Sequence, residues 1–483
     1  MSNSLINPEI FRAYDIRGIV DETLTEESVF LIGKAVGSKT LLLSDRKNPT
    51  SQQVVVGRDG RLSGARLLDK LKQGIISTGC NVIDIGLIPT PVLYFAASVL
   101  HIDSAVMLTG SHNPPNYNGL KIILSSQAIY GEQILELKNL IIDNKLITAL
   151  EKNLGKIIEQ DMINQYINYI VNNININHLT KNKNFNNIKL VVDCGNGAAA
   201  VVAEKLFTAL GVECITLYGT VDGNFPNHHP DPSDPKNLKD LIKTVLNKQA
   251  DLGIAFDGDG DRLGLVDNKG NIIWPDRYLM LFAKDILEKN SNSKHQDPVI
   301  IYDIKSTNNL QQVIIKAGGI PLMWKTGHSL IKAKMQETKA LLAGEMSGHV
   351  FFKDRWFGFD DGLYTGARLL ELMFNSGKTL ESMCSELPEN CSTPELAIES
   401  TETQKHQIMK KLINLVQEKT AKITTIDGLR LDFPDCWGLV RMSNTTPNLI
   451  ARFEASNIVS LDRVKKIFKD YLLAIDANLV IPF

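Results

Sequence analysis

Ser111 stands in the run Thr109-Gly110-Ser111-His112-Asn113-Pro114-Pro115, which follows an apolar segment and precedes Tyr117-Asn118-Gly119 and Lys121. A serine hydroxyl in such a loop is a candidate for covalent chemistry, because His112, Asn113 and Lys121 offer a donor-rich, partly cationic setting for a phosphorylated or acylated serine. The plainer reading is a polar turn punctuated by Pro114 and Gly119. A second run reverses that preference. Asp257-Gly258-Asp259-Gly260-Asp261-Arg262 supplies three carboxylates within five residues. Aspartates crowded this closely repel unless a counter-ion sits among them. Oxygen-only ligands favour a hard cation, and Mg²⁺, which takes few protein carboxylates and a phosphate oxygen, suits the set best. A helix-loop-helix calcium site is the obvious competitor, but it wants Gly where Arg262 stands and Glu where Asn268 stands. A phosphoserine and a divalent cation would need each other.

Two further loops have the chemistry of ligand binding. Gly344-Glu345-Met346-Ser347-Gly348-His349 combines a carboxylate, a hydroxyl and an imidazole, a set suited to adjacent hydroxyls of a sugar ring. Arg441-Met442-Ser443-Asn444-Thr445-Thr446-Pro447 gathers a guanidinium, hydroxyls, an amide and backbone N–H groups that suit a phosphate dianion. The run 11–18, with Tyr14 and Arg17, and Lys325-Thr326-Gly327-His328 add cationic groups, for which surface salt bridging is the default reading of each alone. In Asp193-Cys194-Gly195-Asn196-Gly197 the dinucleotide spacing G-x-G-x-x-G is completed by Ala200 alone, so the run reads as a tight turn before a helix.

The elements that must hold these loops repeat one plan. An apolar strand ends in a Gly/Asp loop, a helical segment closes on glycine, and another apolar strand follows. The three copies are strand 54–59, helix 67–79 and strand 82–86; strand 190–193, helix 198–210 and strand 214–217; and strand 299–303, helix 308–317 and strand 321–324. Continuous apolar strands alternating with helices predict mainly parallel sheets covered on both faces. The three aspartates fall between apolar segments 252–256 and 263–266, in a tight strand-to-strand connection. The run 172–187, with eight asparagines, and the run 289–297 predict surface loops. Beyond about residue 391 a helix over 403–420, strands near 423–425, 429–431 and 439–442, and a helix near 461–473 predict a smaller α+β domain.

A chain of 483 residues exceeds one hydrophobic core, and a balance of 52 basic against 54 acidic side chains points to neither nucleic acid nor an acidic membrane. The cysteines (Cys80, Cys194, Cys214, Cys384, Cys391, Cys436) are scattered and form no C-x-x-C pair, which suggests neither a zinc site nor a disulfide framework and suits reduced thiols in a cytoplasmic protein. No cationic leader with an apolar run opens the chain, and no stretch of about eighteen apolar residues follows.

The serine loop, the Asp-Gly-Asp-Gly-Asp-Arg loop, the Gly-Glu-Met-Ser-Gly-His loop and the Arg-x-Ser-Asn-Thr loop, in this order and near these spacings, resemble the α-D-phosphohexomutase superfamily, and within it the bacterial phosphomannomutase/phosphoglucomutase family. The resemblance runs from Phe11 to about Glu454. It implies three related mixed α/β domains (1–155, 156–268, 269–385) and a C-terminal α+β domain (386–483), each giving one loop to a central cleft. It implies an isomerase that interconverts hexose 1-phosphates and hexose 6-phosphates of mannose and/or glucose, in the cytoplasm and as a monomer. Ser111 would be the phosphoserine, and Mg²⁺ would be held by its phosphoryl oxygen with Asp257, Asp259 and Asp261. Glucose 1,6-bisphosphate or mannose 1,6-bisphosphate would serve as activator and intermediate. Lys121 and His349 would be general acid/base groups, with Arg17 beside them. Glu345 and Ser347 would hold ring hydroxyls, while Arg441, Ser443, Asn444 and Thr445 would hold the distal phosphate. Tyr14, Lys305, Gly327 and His328 would position substrate, and Arg262 would balance charge. Phosphoglucosamine mutases tend to carry Gln within the sugar loop and Ser-Gly-Thr in the phosphate loop, so Met346 and the Ser443-Asn444-Thr445 run disfavour an amino sugar. The competing readings are a Mg²⁺-dependent phosphatase and a non-catalytic sugar-phosphate-binding protein.

Overall fold

The computed structural model describes residues 6–45, 49–175, 188–290, 298–443 and 446–483. Its strands form four sheets. In the first, Gln53–Arg58 lies parallel to Asn81–Leu87 on one side and to Ala105–Leu108 on the other, and Tyr117–Leu124 then runs antiparallel to Ala105–Leu108. The second sheet repeats this with Lys189–Asp193 between Glu213–Leu217 and Leu252–Phe256, and Leu263–Asp267 antiparallel to the latter, with the short strand Ile272–Ile273 at the edge. The third repeats it again with Val299–Asp303 between Ile320–Trp324 and Leu342–Gly344, and Val350–Phe352 antiparallel. The predicted strand-helix-strand units are therefore the parallel half of each sheet, and an antiparallel hairpin completes it. Ile16–Ile19 and Ile157–Glu159 extend the first sheet at its two edges, the latter just beyond residue 155.

This repeat explains where the chemical loops fall. The connection between the third and fourth core strands carries Ser111 in the first sheet, the aspartates in the second, and Glu345 to His349 in the third. Parallel strands point their carboxyl ends the same way, so the hairpin leaving the third strand opens where α/β sheets bind ligands. The fourth sheet is built from antiparallel strands, and its loop 443–448 again joins two of them, Cys436–Met442 and Leu449–Ala455.

Several sequence expectations need correction. The helix expected over 198–210 is a short 3-10 turn, Ala198–Val201, followed by helix Ala203–Ala209. The start is diverted because the Ala198 N–H donates to the Gly258 carbonyl at 2.9 Å, tying the turn to the acidic loop. The helix expected over 403–420 ends at Leu415, where Val416 turns to extended backbone. The asparagine-rich run is not all surface loop. Asn173 ends helix Ile163–Asn173, and its side chain accepts from Tyr364 Oη at 2.7 Å and donates to the Arg355 carbonyl at 2.8 Å. The rest of that run from 176 onward, and 291–297 of the second polar run, lie outside the described residues.

One apolar cluster spans the first three sheets, with Phe95, Tyr166, Trp356, Phe359 and Tyr364 at its aromatic centre; Trp356 stacks on Tyr364 at 4.2 Å. The C-terminal part has its own core and meets the third sheet through a small apolar cluster of Ile304, Trp437 and Leu439 and through polar groups. Arg430 donates to the carbonyls of Ile304 and Ser306, and Arg452 donates to that of Lys305 at 2.7 Å. Among the described residues no helix is long and apolar enough to cross a membrane.

Candidate active site

The four loops converge on one cleft of about 750 Å³, lined by Tyr14, Arg17, Ser111, Lys121, Arg262, Lys305, Gly327, His328, Glu345, Ser347, His349, Arg441 and Ser443. Asn444 and Thr445 lie outside the described residues.

Ser111 adopts φ +48°, in the left-handed region. Its N–H donates to Thr109 Oγ1 at 2.7 Å and its hydroxyl donates to Asp257 Oδ2 at 3.0 Å, so the serine sits on the acidic loop. Gly258 leaves room for that approach, since a Cβ there would lie 2.4 Å from the Ser111 carbonyl oxygen. Arg17 donates to Asn113 Oδ1 and pairs with Asp15.

The three aspartates are fully buried. Asp257 Oδ1 accepts the N–H groups of Asp261 at 3.1 Å and of Arg262 at 3.2 Å, which closes the loop into a turn. Asp259 Oδ2 accepts from Thr90 Oγ1 and from Lys121 Nζ at 2.7 Å, and Asp261 Oδ2 accepts from the same ammonium at 2.5 Å. Burial disfavours all three charges. Asp261 and Asp259 push Asp257 further above the ordinary range, whereas the Lys121 ammonium holds Asp259 and Asp261 below it. Burial also opposes the Lys121 charge, but Asp259 and Asp261 overrule it and the ammonium is kept well above its usual range.

His349 lies between the acidic and sugar loops, with Nε2 3.3 Å from Asp261 Oδ1 and Nδ1 3.2 Å from Glu345 Oε2. Burial works against the imidazolium, yet Asp261 and Glu345 lift His349 to about 9. Ser347 Oγ is 2.9 Å from His349 Nδ1. Glu345 Oε1 accepts the Gly327 N–H at 2.6 Å. Gly327 has φ +137°, and a Cβ there would meet the Tyr14 ring at 3.2 Å, which fixes glycine at this position.

Arg441 pairs with Asp427 at 3.0 Å, and Asp427 also accepts the Thr326 N–H at 3.1 Å, joining the 325–328 run to Arg441. Lys305 Nζ pairs with Glu395 at 2.6 Å. Ser443 Oγ accepts the Thr446 N–H at 3.1 Å.

Models of the phosphoglucomutase/phosphomannomutase family match nearly the whole chain: alpha/beta/alpha domain I over residues 8–146, domain II over 164–270, domain III over 274–391, and the C-terminal domain over 390–470. The chain belongs to this family. It is 52% identical over 474 residues to the phosphomannomutase/phosphoglucomutase of Pseudomonas aeruginosa, covering 98% of this chain and 97% of the relative. It is 46% identical over 476 residues to a phosphoglucomutase of Neisseria meningitidis, covering 98% of each. The crystal structure of a phosphoglucomutase/phosphomannomutase family protein from Burkholderia thailandensis superposes with a TM-score of 0.89 at 46% identity, covering 99% of this chain and all of the other. The resemblance read from the four loops is thus borne out.

The residues of this phosphohexomutase fit a hard divalent cation. One oxygen from each of Asp257, Asp259 and Asp261 lies within 4.8 Å of the others. Asp259 Oδ1 is buried with no hydrogen-bond partner, a costly state for a carboxylate oxygen that a cation would relieve, and Asp261 Oδ1 has only the His349 ring at 3.3 Å.

Sequence reasoning missed the groups that hold the loops in shape. Arg61, fully buried, donates to the carbonyls of Ser111, Asn113, Pro114 and Tyr117 at 2.6–2.8 Å and lies 3.3 Å from Asp59. Gly110 is required because a Cβ would lie 2.3 Å from the guanidinium carbon. Lys405 likewise donates to the carbonyls of Ser443 and Thr446, closing the phosphate loop at its two sides. An arginine just after a strand and a lysine within a helix carry no local signal of such work. Arg61→Met is expected to destabilise the chain by about 3–5 kcal/mol, since it strands four carbonyls and one buried carboxylate. Urea unfolding followed by circular dichroism measures this, and a loss under about 1 kcal/mol would refute the role given to Arg61.

Proposed function

We propose that this chain interconverts hexose 1-phosphates and hexose 6-phosphates of mannose and glucose by passing a phosphoryl group through Ser111 Oγ. The observation that carries the reading is the contact of the Ser111 hydroxyl with Asp257, at a cleft that Arg441 and Ser443 also line. Asp257, Asp259 and Asp261 would hold Mg²⁺, which supplies charge neutralisation for a transferring phosphoryl group.

In the forward half-reaction the phosphorylated Ser111 loses its phosphoryl group to the free hydroxyl of a bound hexose phosphate. The serine oxygen gains a proton and the sugar oxygen gives one up, leaving a hexose 1,6-bisphosphate. In the return half-reaction the bisphosphate has turned end for end, and its other phosphoryl group goes back to Ser111 Oγ. Lys121 and His349 both carry a proton at neutral pH, and in each half-reaction one of them gives its proton to the departing oxygen and takes back the proton that the attacking hydroxyl releases. Arg17 and Arg262 stabilise charge on the transferring group. Reorientation requires that each end of the sugar fit either pole. Glu345 and Ser347 supply hydroxyl partners between the poles. Arg441, Ser443, Asn444 and Thr445 are assigned to the distal phosphate, with Lys305 beside them.

The test is the ³¹P spectrum of the protein incubated with Mg²⁺, a trace of glucose 1,6-bisphosphate and mannose 1-phosphate, and separately glucose 1-phosphate. Growth of the 6-phosphate signal without inorganic phosphate is the expected result. Release of inorganic phosphate instead would make the chain a phosphatase and overturn the proposal.

A further inference from the structure

His328 and Asp360 face one another through two buried atoms that lack hydrogen-bond partners. His328 opens helix His328–Thr338, and its ring lines the cleft beside that of His349, with ring centroids 5.6 Å apart. Its Nδ1 is buried and unbonded, so Nε2 is the nitrogen the ring offers to a ligand. The acidic oxygen facing Nδ1 is Asp360 Oδ2, at 3.6 Å, itself buried and unbonded and 4.0 Å from His349 Nε2. Asp360 is fully buried and does not line the cleft. Its position is fixed from two sides. Its backbone bridges to Phe351 on strand Val350–Phe352, and its Oδ1 accepts from Lys332 Nζ at 2.8 Å, which in turn lies 4.3 Å over the Tyr94 ring.

A carboxylate only accepts hydrogen bonds, so a lone pair on Nδ1 aimed at Asp360 is repelled and a proton there is favoured. Burial and the charges of Lys332, Lys121 and His349 keep His328 well below its usual range, which leaves one proton for the two ring nitrogens. With that proton on Nδ1, Nε2 presents a lone pair to the cleft. Lys121, Arg262, Lys305 and the protonated His349 are donors lining the same cleft, and the Glu345 carboxylate there already accepts the Gly327 N–H and faces His349. A sugar hydroxyl bound among them must give its own hydrogen to something.

We infer that Asp360 is a positioning residue that holds His328 in the Nδ1–H tautomer, so that Nε2 accepts a hydrogen bond from a hydroxyl of the bound sugar. The inference rests on the hexose phosphate reading of the cleft. The separation of 3.6 Å is longer than a hydrogen bond, and such contacts commonly tighten once ligand is bound.

Selective ¹⁵N-histidine labelling tests the tautomer, with His328 assigned by the signals lost in His328→Gln. Long-range ¹H–¹⁵N spectra of the wild-type protein should show Nδ1 protonated and Nε2 bare. In Asp360→Asn the single carbonyl oxygen cannot serve both Lys332 and Nδ1, so the ring should shift toward Nε2–H. Along with it, kcat should fall about 10- to 100-fold with little change in KM, while Ser111 is still phosphorylated by glucose 1,6-bisphosphate as read by intact mass. A purely structural Asp360 would lower stability without moving the tautomer. An Nε2–H ring in the wild-type protein overturns the inference without recourse to any variant. So does an Asp360→Asn protein in which either the tautomer or kcat is unaltered. A wild-type protein with no isomerising activity would refute the mutase reading instead, and the tautomer measurement would still stand.

Discussion

Ser111→Ala is expected to lower kcat by at least about 10⁴-fold while leaving hexose phosphate affinity within about threefold. The asymmetry follows from the division of labour in the cleft. On the proposed mechanism Ser111 Oγ accepts and returns the phosphoryl group, and its remaining contact is a hydrogen bond to Asp257. Recognition of the sugar is assigned to Glu345, Ser347 and the Arg441 loop, which the substitution does not touch. Folding should be nearly unaffected, because alanine and serine meet a similar penalty at φ +48° and Arg61 still holds the loop carbonyls. The checks are turnover by coupled assay, substrate affinity by calorimetry, and mass spectrometry of the peptide containing residue 111 after incubation with glucose 1,6-bisphosphate. Phosphorylation of the wild-type peptide and none in the variant is the expected pattern. Wild-type turnover in Ser111→Ala would remove the covalent mechanism altogether.

What could be read from the chain alone was set by how local each signal is. The acidic loop was legible because its glycines and aspartates lie between two continuous apolar strands, Leu252–Phe256 and Leu263–Asp267, and nothing distant is needed to make a hairpin of them. The three strand-helix-strand units were legible for the same reason. Strand Leu449–Ala455 was not, because it carries Arg452 and Glu454 on the face turned toward the third sheet. Arg452 bonds to Lys305 and Asp276, and Glu454 accepts from Thr307 Oγ1 and Trp437 Nε1. Charged residues on a buried interdomain face break the apolar alternation by which a strand is recognised. Arg61 and Asp360 were hidden differently. Arg61 acts on a loop far along the chain and Asp360 on a helix of another part of its sheet, and a single buried charge has no sequence pattern until the fold supplies its partner. The helix expected after Gly197 failed for a related reason, since its first N–H is taken by Gly258 of the neighbouring loop.

Asp259→Asn is expected to weaken Mg²⁺ or Mn²⁺ binding about 10- to 100-fold and to lower kcat by about 10²- to 10³-fold. The reasoning starts from the two oxygens of Asp259. Oδ2 faces the Thr90 hydroxyl and the Lys121 ammonium, whereas Oδ1 is buried with no partner. An asparagine must turn its carbonyl oxygen toward the ammonium, which cannot accept a hydrogen bond, and this puts the amide NH₂ where Oδ1 stood. A donor then points at the place where a cation would be held. Without metal the same change weakens a buried pair, since the Lys121 ammonium holds Asp259 below the ordinary carboxylate range. The variant should therefore melt below the wild-type protein in EDTA, and further below it in saturating Mg²⁺, where only the wild-type protein gains binding energy. Mn²⁺ binding followed by electron paramagnetic resonance gives the affinity independently of turnover. An unaltered Mn²⁺ titration, or a difference in melting temperature that Mg²⁺ does not widen, would place the cation elsewhere and leave the three aspartates as a structural turn held by Lys121.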